Sequence, residues 1–153
     1  MNKRGVTLIE LVTVMAIIAF LAVLTVPSIS SWMAHYRLRT GARDIVSVMR
    51  TAQMRAVSYN MRYGVAFDAG NKQFQLYRDS GGLQVDGATN ILPTGVTFSS
   101  ITGLPGDGPG GLPLISFFPN STASASGTIT LRNSKGKEKT IQISMASGRI
   151  TVP

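Results

Sequence analysis

Glu10 is the residue whose type and position most strongly indicate chemistry in this chain. Its carboxylate comes directly before an apolar run, from Leu11 to Val26, that contains no charged residue. An ionised acid at the centre of a bilayer costs about 2.5–3.5 kcal/mol, and less near an edge. Such a charge needs either an opposite charge close by or a position at the positive end of its own helix. Glu10 is therefore a candidate for a charge-pairing role.

The other titratable residues do not form the sets that catalysis or metal binding requires. His35 is the single histidine and there is no cysteine, which excludes a disulfide framework, a thiolate zinc site and a cysteine nucleophile. The acids of the second half of the chain are separated and fall mostly in predicted turns: Asp68, Asp79, Asp86, Asp107 and Glu138. No pair has the spacing of an acid–base couple. The sequence predicts a protein that is not an enzyme and has no metal or cofactor.

The segment around Glu10 has the length of a membrane helix. Residues 6–26 are about the 20 that cross the hydrocarbon core of a bilayer, and Lys3 and Arg4 precede them. A secretory signal peptide cut before Ser31 is one alternative, although its apolar region is usually about 7–15 residues and lacks an acid. An ordinary signal anchor with its basic end in the cytoplasm is another. A buried helix of a soluble domain fits less well, because the run is apolar on all faces.

The order of residues Gly5-Val6-Thr7-Leu8-Ile9-Glu10-Leu11, after a basic leader and before the apolar run, resembles the type III signal of type IV pilins and type II secretion pseudopilins. The resemblance implies that a prepilin peptidase removes residues 1–5 by cutting after Gly5. It also implies that Val6 is then N-methylated, although the family usually has Phe at this position. In an assembled filament Glu10 would pair with the N-terminal ammonium of a neighbouring subunit.

The apolar run leads into a second helical pattern. Pro27 either kinks the helix, in a section that could loosen when subunits pack, or opens a second helix at its first turn. A helix is predicted from about Trp32 to about Tyr59, with one apolar face made by Leu38, Ala42, Ile45, Met49, Ala52 and Ala56. Arg39, Arg43 and Arg50 fall on a different face. They are either solvated, or in contact with lipid headgroups or with acidic groups of neighbouring subunits.

The pattern changes to that of strands from Tyr63 onward. Alternating or apolar segments predict strands at 65–67, 73–77, 96–98, 114–118, 127–132, 140–144 and 148–152. Residues 103–113 are rich in Gly and Pro and predict an irregular surface loop, which lacks the following helix and the lysine of a phosphate-binding loop. The fold class is therefore α+β. We expect a long membrane-spanning helix (6–27), an amphipathic stalk helix (28–62) and an antiparallel β-sheet domain (63–153) on which the stalk packs.

The chain is basic, with a formal net charge of +8 that falls to +6 once Lys3 and Arg4 are removed. Basic residues gather in sequence at the C-terminal hairpin and tail, where they could contact an anion or DNA: Arg132, Lys135, Lys137, Lys139 and Arg149. No aromatic residues alternate with them, so base stacking is not indicated. The alternative is an exposed edge hairpin whose lysines prevent aggregation.

A narrower resemblance rests on the stalk helix, on Phe118-Pro119-Asn120-Ser121, on the hairpin and on Ser147-Gly148-Arg149-Ile150. These features are similar to the GspH/FimT branch of pilin-like proteins. The resemblance implies a minor pseudopilin near the tip of a type II secretion pseudopilus, or else a minor pilin of a type IV pilus. DNA-uptake members carry a tail of the form Gly-Arg-x-Arg, and Thr151 stands here where the second arginine would be.

Membership of that branch implies a location and a set of partners. The protein would be a single-pass protein of the bacterial inner membrane, with its N-terminus in the cytoplasm and residues 63–153 in the periplasm. Its partners would be the prepilin peptidase, other pseudopilins or pilins, membrane lipid and a secreted protein substrate. DNA is a partner only in the type IV pilus alternative.

Overall fold

The computed structural model describes residues 6–153, except for the side chains of residues 23–29. One helix, α1 (Leu8–Tyr59), precedes all the strands. The strands are β1 (Tyr63–Asp68), β2 (Gln73–Asp79), β3 (Leu83–Val85), β4 (Asn90–Ile91), β5 (Val96–Thr102), β6 (Leu114–Phe117), β7 (Gly127–Asn133), β8 (Glu138–Ile143) and β9 (Ile150–Thr151). The chain divides into two compact units, Met1–Met33 and Ala34–Pro153.

The first unit contains the start of α1, where large apolar side chains are exposed. Leu8 is 81% exposed, Ile9 71% and Phe20 68%. Within the described residues, no helical segment combines the length and the apolar character of a membrane span. The expected span of residues 6–27 extends into the segment whose side chains are not described, and it stays a prediction. The expected leader of residues 1–5, with its cleavage site after Gly5, lies outside the described residues.

The helix is continuous at Pro27. A single element from Leu8 to Tyr59 includes this proline, so the described chain does not start a second helix there. The Pro27 side chain belongs to the segment that is not described, and its expected part in assembly stays a prediction. The predicted C-terminal end of the helix at Tyr59 is confirmed. Asn60 follows with a φ of 49°, a left-handed conformation that is common just after a helix.

One face of the second half of α1 is buried in the second unit. The predicted apolar face is confirmed, because each of its side chains is at most 3% exposed: Leu38, Ala42, Ile45, Met49, Ala52 and Ala56. They recur every three or four residues, which places them on one side of a helix. This face is the part of the helix that holds it to the β-strands.

The strands form two antiparallel sheets rather than one. The first has the order β3-β2-β1-β6, with β4 also paired to β2, and the second has the order β5-β7-β8-β9. β1 lies between two strands, with Val65 opposite both Leu76 and Ile115, and its first five residues are buried. In the second sheet Ile129 lies opposite Ile101 on one side and Ile141 on the other. The α+β prediction is therefore confirmed, and the expectation of a single sheet is corrected.

A single apolar core joins the helix to both sheets. It includes aromatic and branched side chains of each sheet, among them Phe67, Phe74, Ile115 and Phe117 from the first and Val96, Ile129, Leu131 and Ile141 from the second. The Phe67 ring stacks on Phe74, with 6.4 Å between ring centroids, and makes an edge-to-face contact with Phe98, with 6.1 Å between centroids. This core therefore fixes the two sheets against α1.

Three short elements are not predicted from the sequence. β3 and β4 have three and two residues, too few to show a periodic pattern. Within the loop expected to be irregular throughout, Pro109–Gly111 forms one turn of 3₁₀-helix. The proline supplies the backbone angle of a first helical position, and Gly110 adopts a φ of 67° that closes the turn.

We expect Met49→Ala to lower the free energy of unfolding of the unit Ala34–Pro153 by about 2–5 kcal/mol, because it leaves a cavity in the core. Met49 is fully buried, whereas Met54, five residues further along the helix, is 62% exposed. Met54→Ala should therefore change the unfolding free energy by no more than about 0.5 kcal/mol. Urea denaturation followed by circular dichroism measures both. Equal losses for the two variants would contradict this packing.

Candidate functional site

The start of α1 is organised by Thr7. Its hydroxyl oxygen accepts a hydrogen bond from the main-chain N–H of Glu10, at 3.3 Å, and its carbonyl oxygen accepts one from Leu11, at 3.2 Å. Thr7 is thus the N-cap of the helix, and Glu10 occupies the third helical position, as in a capping box. This places the Glu10 carboxylate at the positive end of the helix, where a negative charge is stabilised. Val6 precedes the cap and is exposed.

Three of the arginines between residues 37 and 62 are held by partners in the same chain. Arg37 donates to the carbonyl oxygen of Thr94 at 3.4 Å, Arg55 pairs with Asp86 at 2.8 Å, and Arg62 pairs with Asp79 at 2.7 Å. The Tyr63 hydroxyl also donates a hydrogen bond to the Asp86 carboxylate, beside Arg55. Burial raises the pKa of the Tyr63 hydroxyl, and the hydrogen bond to the Asp86 carboxylate raises it further. The Arg55 and Arg62 pairs connect the C-terminal end of α1 and the residues just after it to the region of β2 and β3, whereas Arg37 contacts the loop before β5.

The other three arginines of this region line a groove. Arg39, Arg43 and Arg50 lie on one side of a cavity of about 600 Å³, and Lys139 and Val152 contribute to its lining from the second sheet. The lining is partly apolar, with Val46 and Met54 of the helix, above the buried Ala42. We call this the basic groove. Its lining includes no acidic side chain among the described residues.

The five basic residues expected to form one C-terminal cluster lie at three places. Arg132 projects from the outer face of β7 and pairs with Glu138 at 3.4 Å, with Lys135 and Lys137 exposed in the adjacent turn. Lys139 follows Glu138 in β8, so its side chain points to the opposite face of the sheet, into the basic groove. Arg149 adjoins β9 beside the far end of β8. Their role in binding an anion or DNA stays a prediction.

The predicted hairpin turn is built by Asn133. Its side-chain oxygen accepts hydrogen bonds from the main-chain N–H groups of Lys135, at 3.0 Å, and Lys137, at 2.9 Å. Gly136 completes the turn with a φ of 76°. The turn therefore fixes the main-chain positions of the two lysines.

No metal-binding group is found in the described part of the chain. No three or more His, Cys, Asp or Glu side chains are placed together to hold a metal ion there.

Gln53 of α1 connects two distant loops, a contact that the sequence does not reveal. Its side-chain amide donates to the carbonyl oxygen of Ser121 at 3.0 Å and to that of Gly148 at 3.3 Å. Gly148 has a φ of 58°, and a Cβ atom there would collide with the carbonyl oxygen of Ser121 and lie 2.6 Å from Gln53 Nε2. The Gly148 position is therefore required by packing. Ser121 and Gly148 belong to the two short segments singled out above.

We expect Gly148→Ala to destabilise the second unit by more than Gly136→Ala does. Both glycines have positive φ, which costs other residues about 1–2 kcal/mol. Only Gly148 lacks room for a side chain, since nothing lies within 4 Å of a Cβ atom placed at Gly136. Thermal or urea denaturation of the two variants gives the comparison. If they lose the same stability, the close approach of Ser121 to Gly148 is not a tight contact.

Comparison of the sequence with family patterns gives two matches. The family described as type II transport protein GspH matches residues 41–148, which include most of the basic groove and all of β1–β8. The prokaryotic N-terminal methylation motif matches residues 1–26. No curated protein matches the chain at a significant level.

Solved structures resemble the fold at low sequence identity. The minor pseudopilin EpsH of the type 2 secretion system of Vibrio cholerae has a TM-score of 0.62 and 11% identity, covering 76% of this chain and 96% of its own. The type IV minor pilin FimU of Pseudomonas aeruginosa has a TM-score of 0.60 and 16% identity, covering 78% and 90%. Identities this low show a shared fold alone. The GspH pattern, however, spans well over half of the sequence, so the chain belongs to the type II transport protein GspH family, a family of structural pseudopilin and pilin subunits rather than of enzymes.

Proposed function

We propose that the protein is a minor pseudopilin that is processed by a prepilin peptidase and assembled through α1 into a type II secretion pseudopilus, where it supports protein secretion. The peptidase would cut after Gly5, and Val6 would become the methylated N-terminus. The match of residues 1–26 to the methylation motif supports both steps. The match of residues 41–148 to the GspH family supports the assignment to a secretion machine.

The observation that carries the proposal is the exposed apolar surface at the start of α1. From Leu8 to Leu21 every leucine, isoleucine, valine, methionine and phenylalanine is about half exposed or more, from 49% at Val14 to 81% at Leu8. A continuous apolar surface of this kind is covered by lipid or by other proteins. We therefore infer that residues 6–27 lie in the inner membrane before assembly and pack against other subunits after it. Pro27 would lie at the end of this packed segment.

The proposed topology follows from charge. Lys3 and Arg4 would stay on the cytoplasmic side, as basic residues beside a membrane segment usually do. Residues 63–153 would then be periplasmic. Partners of the finished filament are other pseudopilins or pilins, as the family implies. Contact with a secreted protein is a further part of the proposal.

Glu10 has two roles in this proposal. Before assembly its carboxylate is stabilised by the free N–H groups of the first helical turn. After assembly it would pair with the N-terminal ammonium of Val6 from a neighbouring subunit. An ion pair in apolar surroundings is tolerated where a single charge is not. The same carboxylate therefore suits both the membrane and the filament.

The alternative is a minor pilin of a type IV pilus, and the likeness of the fold to FimU is consistent with it. In this alternative the basic residues of the C-terminal hairpin could contact DNA. However, the five candidate residues do not form one DNA-binding surface. Lys139 lies in the basic groove and Arg149 lies at the far end of β8. Secretion therefore remains the leading proposal.

Processing is tested by the intact mass of the protein purified from its native membrane. We expect the mass of residues 6–153 plus one methyl group. A Gly5→Val variant should keep residues 1–5, because the proposed cut follows this glycine. A mass beginning at Ser31, or an uncut wild-type chain, would contradict the proposal and favour a secreted or simply anchored protein.

Assembly is tested by Glu10→Gln. The variant should be cut and methylated normally, but removing one partner of a pair in apolar surroundings costs about 3–5 kcal/mol. This corresponds to a loss of about a hundredfold or more in incorporation into sheared filaments or detergent-solubilised assemblies. Asp44→Asn, at an exposed acid of the same helix, is the matched control and should be incorporated normally. Equal incorporation of both variants would exclude the pairing role.

A further inference from the structure

The arginines of the basic groove differ from those that fasten the helix. Arg39, Arg43 and Arg50 are exposed, and within the described residues none of them makes an ion pair or a hydrogen bond with another side chain. By contrast, Arg37, Arg55 and Arg62 each have a partner within the chain. Among the described arginines of α1, those without an ion pair or a side-chain hydrogen bond are therefore the three that line the basic groove.

The spacing of these residues produces one continuous row. Arg43 follows Arg39 by four residues and Arg50 follows Arg43 by seven, so all three lie on one face of the helix. The row is about 17 Å long, at a rise of 1.5 Å per residue. Lys139 stands across the groove and donates to the main-chain oxygen of Pro153 at 3.1 Å. Asp44, the acid nearest in sequence, lines a different hollow with Phe74 and Ile91.

We propose that the basic groove binds acidic side chains of a neighbouring pilin-like subunit in the assembled filament. This inference rests on the proposed function, because it requires a filament. Guanidinium groups form paired, parallel hydrogen bonds with carboxylates, which makes arginine well suited to contacts between proteins. A neighbour that presents acids every three or four residues along a helix would match the row on α1.

The lining of the groove favours a protein as the partner. Val46 and the exposed Met54 provide apolar surface beside the arginines, and Val152, which follows β9, also lines the groove. A nucleic-acid backbone would satisfy the arginines but would place charged phosphates against this apolar surface. A helix with both acidic and apolar residues satisfies both parts of the groove.

The family match favours another subunit over a lipid as the occupant of the groove. Every residue of its lining lies in Ala34–Pro153, whereas the exposed apolar run proposed to enter the membrane lies in Met1–Met33. The GspH match, which covers residues 41–148, implies that other subunits assemble with this chain. Family membership therefore favours another pilin-like subunit as the partner of the groove.

The test uses the full-length protein in its native membranes, with a photoreactive benzophenone amino acid in place of Met54. Tyr59 carries the same probe in a control, because it is equally exposed on α1 but does not line the groove. After irradiation the adducts are identified by mass spectrometry. We expect an adduct at position 54 to an Asp- or Glu-containing peptide of a second protein with an N-terminal methylation motif, and no such adduct at position 59.

The charge requirement is tested in the same membranes with two triple variants. Arg39→Gln, Arg43→Gln and Arg50→Gln together should lower the yield of the position-54 adduct by at least about tenfold. Arg132→Gln, Lys135→Gln and Lys137→Gln remove as much positive charge from the hairpin and should leave the yield unchanged. Unchanged unfolding midpoints of both triple variants show that the fold is intact.

The proposal is overturned by an adduct to lipid or nucleic acid, by the absence of an adduct, or by an equal yield from both triple variants. The mature mass is measured on the same samples. An unprocessed chain would contradict the proposed function, whereas a processed and assembled chain without the expected adduct would contradict the groove alone.

Discussion

The burial of one face of α1 against two sheets is the contact on which the second unit depends. Ile45 and Met49 are fully buried at the centre of that face, where they meet side chains of both sheets in a single core. Because the two sheets share this helix as their common packing partner, neither could keep its position if the helix moved away. The Arg55–Asp86 and Arg62–Asp79 pairs, and the hydrogen bonds of Gln53, are secondary to this apolar contact. They set the position of loops around a helix that is already fixed.

This arrangement leaves α1 with two different kinds of surface. Its early residues are apolar and exposed, from Leu8 to Leu21. Its later residues bury one face in the domain and present a row of arginines on another. A subunit that must interact through one helix with different surroundings requires such a division. The family assignment and the chemistry of the helix therefore agree.

Much of the fold could be predicted from the sequence, because the strongest signals are periodic. The recurrence of Leu38, Ile45 and Met49 at helical spacing predicted the buried face, and alternation at 127–132 predicted β7. β3 and β4 are too short to alternate. The division into two sheets depends on strand pairing between residues distant in sequence, such as Val96 with Asn133, which no local pattern contains.

The candidate sites were predictable only in part for the same reason. Glu10 stands out because a charge in an apolar run is visible in the sequence itself. The basic groove combines Arg43 with Lys139, which are far apart in the chain and were assigned to different groups. Lys139 is close to Lys137 in sequence, but it lies in β8, where alternation directs the side chains of Glu138 and Lys139 to opposite faces. Only the pairing of β8 with β7 shows to which face each one belongs.

The amide of Gln53 also has a mechanical consequence. It joins α1 to the loop at Ser121 and to the loop at Gly148 by a short chain of hydrogen bonds. The two loops are therefore tied to α1, and to each other, through one side chain. The Gly148 loop, which has no room for a Cβ atom, is too tightly packed against Ser121 to yield independently. A displacement of either loop would therefore be transmitted to the other through Gln53 and through the contact of Gly148 with Ser121.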